Sequence, residues 1–140
     1  MNNQVLSIEQ MQELIELGID TSKASMLWYP KMAIDTRTGK GYVESHYLTI
    51  NHIDNEHFWN TREGKETIPT FTLQDIIEML PNWIDPYYKY QKSLFYDVYI
   101  NRWICSYVVS NGSCFEQFEG DSILEVAFNM LKWCNKNDFM

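Results

Sequence analysis

Basic residues are scarce in this sequence: 11 lysines and arginines stand against 19 aspartates and glutamates, a formal net charge of −8 over 140 residues. A surface with that balance opposes a phosphate backbone, which argues against sequence-independent nucleic-acid binding and favours solubility or a basic partner. Cysteine is scarce as well. Cys105, Cys114 and Cys134 are odd in number, well separated and without a C-x-x-C pair. They read as reduced, small apolar side chains and not as a disulfide framework. No unbroken apolar run approaches the ~18 residues that cross a bilayer, and the polar start MNNQVLSIEQ has neither the basic region nor the apolar stretch of a secretory signal. A cytoplasmic protein with no membrane partner is expected. Without export, Asn111-Gly112-Ser113 is better read as a type I′ turn than as a glycosylation site.

What is present is apolar and ring-bearing. With 45% apolar and 15% aromatic residues, the chain is far from the composition of disorder, and its length suits one domain over residues 1–140. The most concentrated stretch is SILEVAFNMLKWC, Ser122 to Cys134, whose few polar residues Glu125, Asn129 and Lys132 fall on one narrow stripe of a helix. Ser122 with Glu125 has the form of a capping box. A helix so apolar has to be covered on most sides. Ser7 with Gln10 starts another amphipathic helix, carried by Ile8, Met11, Leu14 and Ile15 and stopped by Gly18. Thr72 caps a third, LQDIIEML, which Pro81 ends.

Between these helices the period changes to two. LWYPKMAI and YVESHYLTI flank the polar DTRTGKG as a hairpin, and Pro30, lacking an amide proton, places the first strand at an edge. His52 to Thr67 reads as an exposed connection tacked down by Phe58 and Trp59. Leu94 to Glu119 reads as a three-stranded meander with turns at Asn101-Arg102 and Asn111-Gly112. That register places Leu94, Tyr96, Val98, Ile100, Trp103, Cys105, Tyr107, Val109, Cys114 and Phe118 on one face, under the last helix. The expected fold is α+β: an antiparallel sheet of about five strands packed by N-terminal, middle and C-terminal helices.

Few residues offer chemistry. Three imidazoles with carboxylates nearby, His46, His52, His57 and Asp54, are the metal candidates, because three such ligands leave a coordination position for water. Their spacing follows none of the usual ligand patterns. Tyr87 to Lys92, including Tyr88, Lys89 and Tyr90, interleaves rings with cations as single-strand binders do; the opposing reading is an edge strand guarded by lysines. The cysteines lie in apolar contexts that raise a thiol pKa, the serines lack a nucleophile elbow, and Gly39 and Gly41 precede no helix. No catalytic residue and no cofactor is assigned. Aromatics in excess of one small core, among them Trp28, Tyr29, Tyr42, Tyr47 and Tyr99, point instead to contact with another protein or with a second copy.

Three blocks, SIEQMQELIELGIDTSKASM, IPTFTLQDIIEMLP and SILEVAFNMLKWCNKND, resemble a family of small proteins without an assigned activity. Its members come from gut Bacteroides and related bacteria, often on phages and other mobile elements. The likeness covers capped helices and their core faces and carries over no site residue. It implies a cytoplasmic accessory role toward a phage or host protein.

Overall fold

Across residues 4–84 and 89–140, which the computed structural model describes, the chain runs α1 (Ile8–Glu16), β1 (Met26–Ile34), β2 (Gly41–Ile50), α2 (Glu56–Trp59), α3 (Arg62–Glu66), β3 (Ile68–Thr70), α4 (Leu73–Met79), β4 (Trp83–Ile84), β5 (Tyr90–Asp97), β6 (Arg102–Val108), β7 (Cys114–Gly120) and α5 (Ile123–Lys136). The α+β class expected from the sequence is the one that forms. Its strands are divided over two antiparallel sheets, ordered β2-β1-β3 and β4-β5-β6-β7, where the sequence suggests one sheet. The difference comes from β3 and β4, which are three and two residues long and too short to show a period. Among the described residues no helix is long and apolar enough to cross a membrane.

The interior is built on α5. Leu124, Val126, Ala127, Phe128, Met130, Leu131 and Cys134 are buried, while Glu125 stays exposed and Asn129 and Lys132 are half-buried, as the polar stripe predicts. Ser122 Oγ accepts from Glu125 N at 3.3 Å and starts the helix. These side chains meet Met11 and Leu14 of α1, Phe71 and Ile76 beside and within α4, and Cys105 and Tyr107 on the inner face of the second sheet. Burying each larger apolar side chain contributes about 1.5–3 kcal/mol. α1 carries the full Ser7/Gln10 capping box. It ends where Gly18, at φ +82°, lets Ile19 N reach back to Leu14 O at 3.1 Å.

Asp75 joins the two halves. Its carboxylate is buried beside Thr72 and accepts from the Thr72 amide at 3.0 Å, completing the cap of α4. The same Oδ2 accepts from Ser25 N at 3.0 Å, and Oδ1 from the Ser25 hydroxyl, at the entry to β1. One side chain thus holds a helix start and a strand start together.

Several registers depart from the simple expectation. β1 is the middle strand, not an edge; Pro30 is tolerated because β3 pairs only with Met26 to Trp28, so beyond Trp28 that side of β1 has no ladder partner from β3. The β5–β6 connection is the four-residue Val98 to Asn101, not a two-residue turn at Asn101-Arg102, and Asp97 pairs with Arg102. A turn at Asn101-Arg102 sets Val98 opposite Cys105 and Tyr96 opposite Tyr107; the observed pairing is moved by an even number of residues, so each residue keeps its side of the sheet while Leu94 faces Cys105, Tyr96 faces Trp103, and Val98 and Ile100 leave the ladder. At the other end the body register is as expected, with Cys105 opposite Phe118 and Tyr107 opposite Glu116. Next to the turn, Val108 faces Cys114, and the extra residue, Phe115, forms a bulge. The bulge turns Cys114 out to solvent, correcting its assignment to the inner face. It brings Phe115 to 5.6 Å from Trp133 and 4.9 Å from Tyr90.

Candidate functional site

The histidine segment does not assemble. His46 Nε2 lies 2.9 Å from Glu66 O, and His52 Nδ1 lies 2.9 Å from Ile50 O, each ring engaged with a different carbonyl. His57 sits exposed in α2, where its amide donates to Asn55 Oδ1 at 2.9 Å, and Asp54 is exposed on the preceding loop. Among the described residues no three His, Cys, Asp or Glu side chains are grouped to hold a metal ion. The connection that carries them holds α2 and α3, and Phe58 does tack it to the body, stacked on Tyr29 of β1 at 6.0 Å.

Lys92 is not a surface cation. Its Nζ donates to Ile77 O at 2.7 Å and to Leu80 O at 3.2 Å, and Tyr107 Oη donates to Pro81 O at 2.7 Å. The carbonyls left open at the end of α4 are thus filled from the inner face of the second sheet. Burial lowers the Lys92 pKa, partly offset by the nearby Cys105 and Cys134 thiols. Of the proposed single-strand segment, Lys89 is exposed, and Pro86, Tyr87 and Tyr88 lie outside the described residues. Burial pushes Cys105 up to about 12 and Cys134 up to about 11, so both stay protonated at neutral pH and do not supply a nucleophile. Cys114 is raised as well, by burial and then by Glu116, despite its exposed position.

What stands out is the end of the β5–β6 hairpin. Phe95, Tyr96, Val98, Tyr99 and Ile100 are all exposed, Val98 at 68% and Tyr99 at 95% of their full surface. The turn is held by its polar residues. Asp97 Oδ1 accepts from Tyr99 N at 2.9 Å, an Asx turn, and Asn101 takes the left-handed conformation at φ +54° that a short amide side chain tolerates. Behind it, Tyr96 packs edge-on against Trp103 at 5.2 Å. Arg102 at the base lies 3.5 Å from Glu119 and 3.8 Å from Asp121, so the acids outnumber the single cation. The result is a hydrogen-bonded apolar tip carrying Tyr99, with Phe95 and Tyr96 on opposite faces of the strand below it and an acidic base. Other exposed apolar residues, Ile34, Tyr42, Tyr47 and Ile50, are spread along the β1–β2 hairpin.

Of these tip residues only Tyr99 is marked as surface by the sequence. A two-residue turn absorbs Val98 and Ile100 into strands, whereas the usable signal was Asp97 as an Asx-turn former and the missing glycine in Asn101-Arg102. A scan against protein-family models, a search of curated proteins and a search of solved structures each return no match.

Proposed function

We propose that this protein is a non-catalytic, cytoplasmic accessory protein that works by binding another protein, with the β5–β6 tip as the anchor. The carrying observation is the exposure of Val98, Tyr99 and Ile100 on a hydrogen-bonded turn, with Phe95 and Tyr96 exposed on opposite faces of the strand that leads into it. Rings on a stiff turn lose little conformational freedom on docking, and such residues dominate the centres of protein interfaces. The partner is an apolar cleft with a basic rim, because Asp97 starts the turn, Glu119 and Asp121 lie beside Arg102 at its base, and the chain as a whole carries −8. A second copy fits less well, since it brings the same charge. The resemblance to proteins of phages and mobile elements supports an accessory role.

The test compares wild type with Tyr99→Ala and Val98→Ser as baits in lysate of the source cells, followed by reconstitution from purified components. One stoichiometric partner is expected, bound by wild type, released by salt and lost by both variants. Identical sets on all three baits, or an inert monomer by native mass spectrometry, would refute the reading.

A further inference from the structure

A cavity of about 530 Å³ opens beside the first sheet, formed by elements that take no part in the β5–β6 tip. Its walls come from the loop between α1 and β1, the chain after β2, the helices α2 and α3, and the start of β3. Each wall is fixed by its own bonds. Asp20 Oδ1 accepts from Ser22 N at 2.9 Å. Asn51 donates through Nδ2 to Ala24 O at 2.8 Å and accepts from Ile53 N at 3.3 Å. Thr61 Oγ1 accepts from Gly64 N at 3.0 Å, and Gly64 is packed so closely that a Cβ there would overlap the Phe58 carbonyl and come within 2.8 Å of Trp59 Cα. The backbone that presents Trp59 therefore has little room to shift, which is preorganisation in the sense that lowers the cost of binding.

The chemistry of the lining is mixed in a specific way. Trp59 supplies an indole surface, Asp20 and Asp54 supply acceptors, and Lys65 supplies a donor. The hydrogen bonds from Ser22 hold the Asp20 carboxyl below the usual carboxylate range, so it is ionised at neutral pH. An anion would meet two carboxylates, and a simple cation would meet Lys65. A hydroxyl donates and accepts at once, so adjacent hydroxyls suit acceptors and a donor set around one ring, while the C–H face of a sugar suits the indole. From this we infer that the cavity binds an uncharged polyhydroxylated ligand of the size of a monosaccharide ring.

Saturation-transfer NMR on the whole chain, with glucose, galactose, mannose and N-acetylglucosamine as probes, tests the inference. Expected is transfer to the ring C–H protons of at least one sugar, unchanged between about 0.05 and about 0.5 M NaCl because the ligand is neutral. Asp54→Asn, at an exposed position, is expected to weaken it about tenfold, the equivalent of one good hydrogen bond to a charged group, with the unfolding temperature unchanged. Trp59→Ala abolishes it, and Tyr99→Ala leaves it intact, which separates this site from the protein-binding tip. No transfer to any of the four sugars, an undiminished signal in Asp54→Asn, or displacement by glycine, lysine or glutamate would overturn it.

Discussion

The β5–β6 and β6–β7 turns have much the same construction and opposite surfaces. At the β6–β7 end, Gly112 N donates to Val109 O at 2.9 Å, Asn111 Oδ1 accepts from Ser113 N at 2.9 Å, and Gly112 takes φ +88°. At the β5–β6 end, Asp97 Oδ1 accepts from Tyr99 N at 2.9 Å and Asn101 takes φ +54°. In each, one Asx side chain and one left-handed residue set the path, and the remaining positions are free of backbone demands. Ser110 and Ser113 use that freedom to face water; Val98, Tyr99 and Ile100 do not. Since a turn folds well with polar residues, the apolar tip is a surface property added to the fold, of the kind that marks contact sites.

The sharpest way to break this comparison is to make the same substitution on either side of it. Tyr107 and Tyr99 belong to one meander, but Tyr107 is fully buried and Tyr99 almost fully exposed. Tyr107→Ala is expected to cost about 3–5 kcal/mol in urea unfolding, through the cavity it leaves and the Pro81 carbonyl it strands. Alkali tests the same inner face without mutation. Burial raises Cys105 to about 12, Cys134 to about 11, and Tyr107 above the usual tyrosine value. The unfolded chain releases these protons first, from about pH 9, so it binds fewer protons than the fold and stability falls as pH rises through that window. Lys92, lowered by burial, acts in the opposite direction and offsets part of the loss. The urea midpoint is expected to drop between about pH 8 and about pH 10.5, and less steeply in Cys134→Ala.

A smaller effect separates the two left-handed residues. Nothing lies within 4 Å of a Cβ built at Gly112, so Gly112→Ala adds backbone strain alone, about 1–2 kcal/mol. Asn101→Gly is expected to stay within about 0.5 kcal/mol, because Asn already accepts that conformation and glycine adopts it freely. Equal losses at both positions would mean that the turns are not equivalent in construction.

Legibility in the sequence followed range. The starts of α1, α4 and α5 depend on side chains three residues from the amides they cap, and Ser7, Thr72 and Ser122 announce them. The second brace of Asp75, to Ser25, spans 50 residues, and nothing local in T-L-Q-D foretells it. The division into two sheets was hidden for the same reason: β3 and β4 gain their identity from partners elsewhere in the chain. Lys92 is legible by parity. It shares the parity of Leu94 and so had to face inward, where a charged chain finds its place on the carbonyls of α4. A two-residue turn hides the tip residues in strands, and the walls of the cavity beside Trp59 meet only in three dimensions, so neither is legible locally.

The smallest expected change in stability is the most informative about function. Tyr99→Ala removes a ring that touches little of its own chain, so the urea midpoint is expected to shift by no more than about 0.5 kcal/mol in free-energy equivalent. The backbone bond from Tyr99 N to Asp97 survives the substitution, and the turn keeps its shape. Partner affinity is expected to fall by at least about 2 kcal/mol, roughly thirtyfold, as for a ring at the centre of an interface. Calorimetry with the reconstituted partner reads the second quantity and urea unfolding the first. Because the two depend on different atoms, a variant as stable as wild type that binds as well as wild type would reduce the tip to an exposed loop, and a variant that loses both would make Tyr99 part of the fold after all.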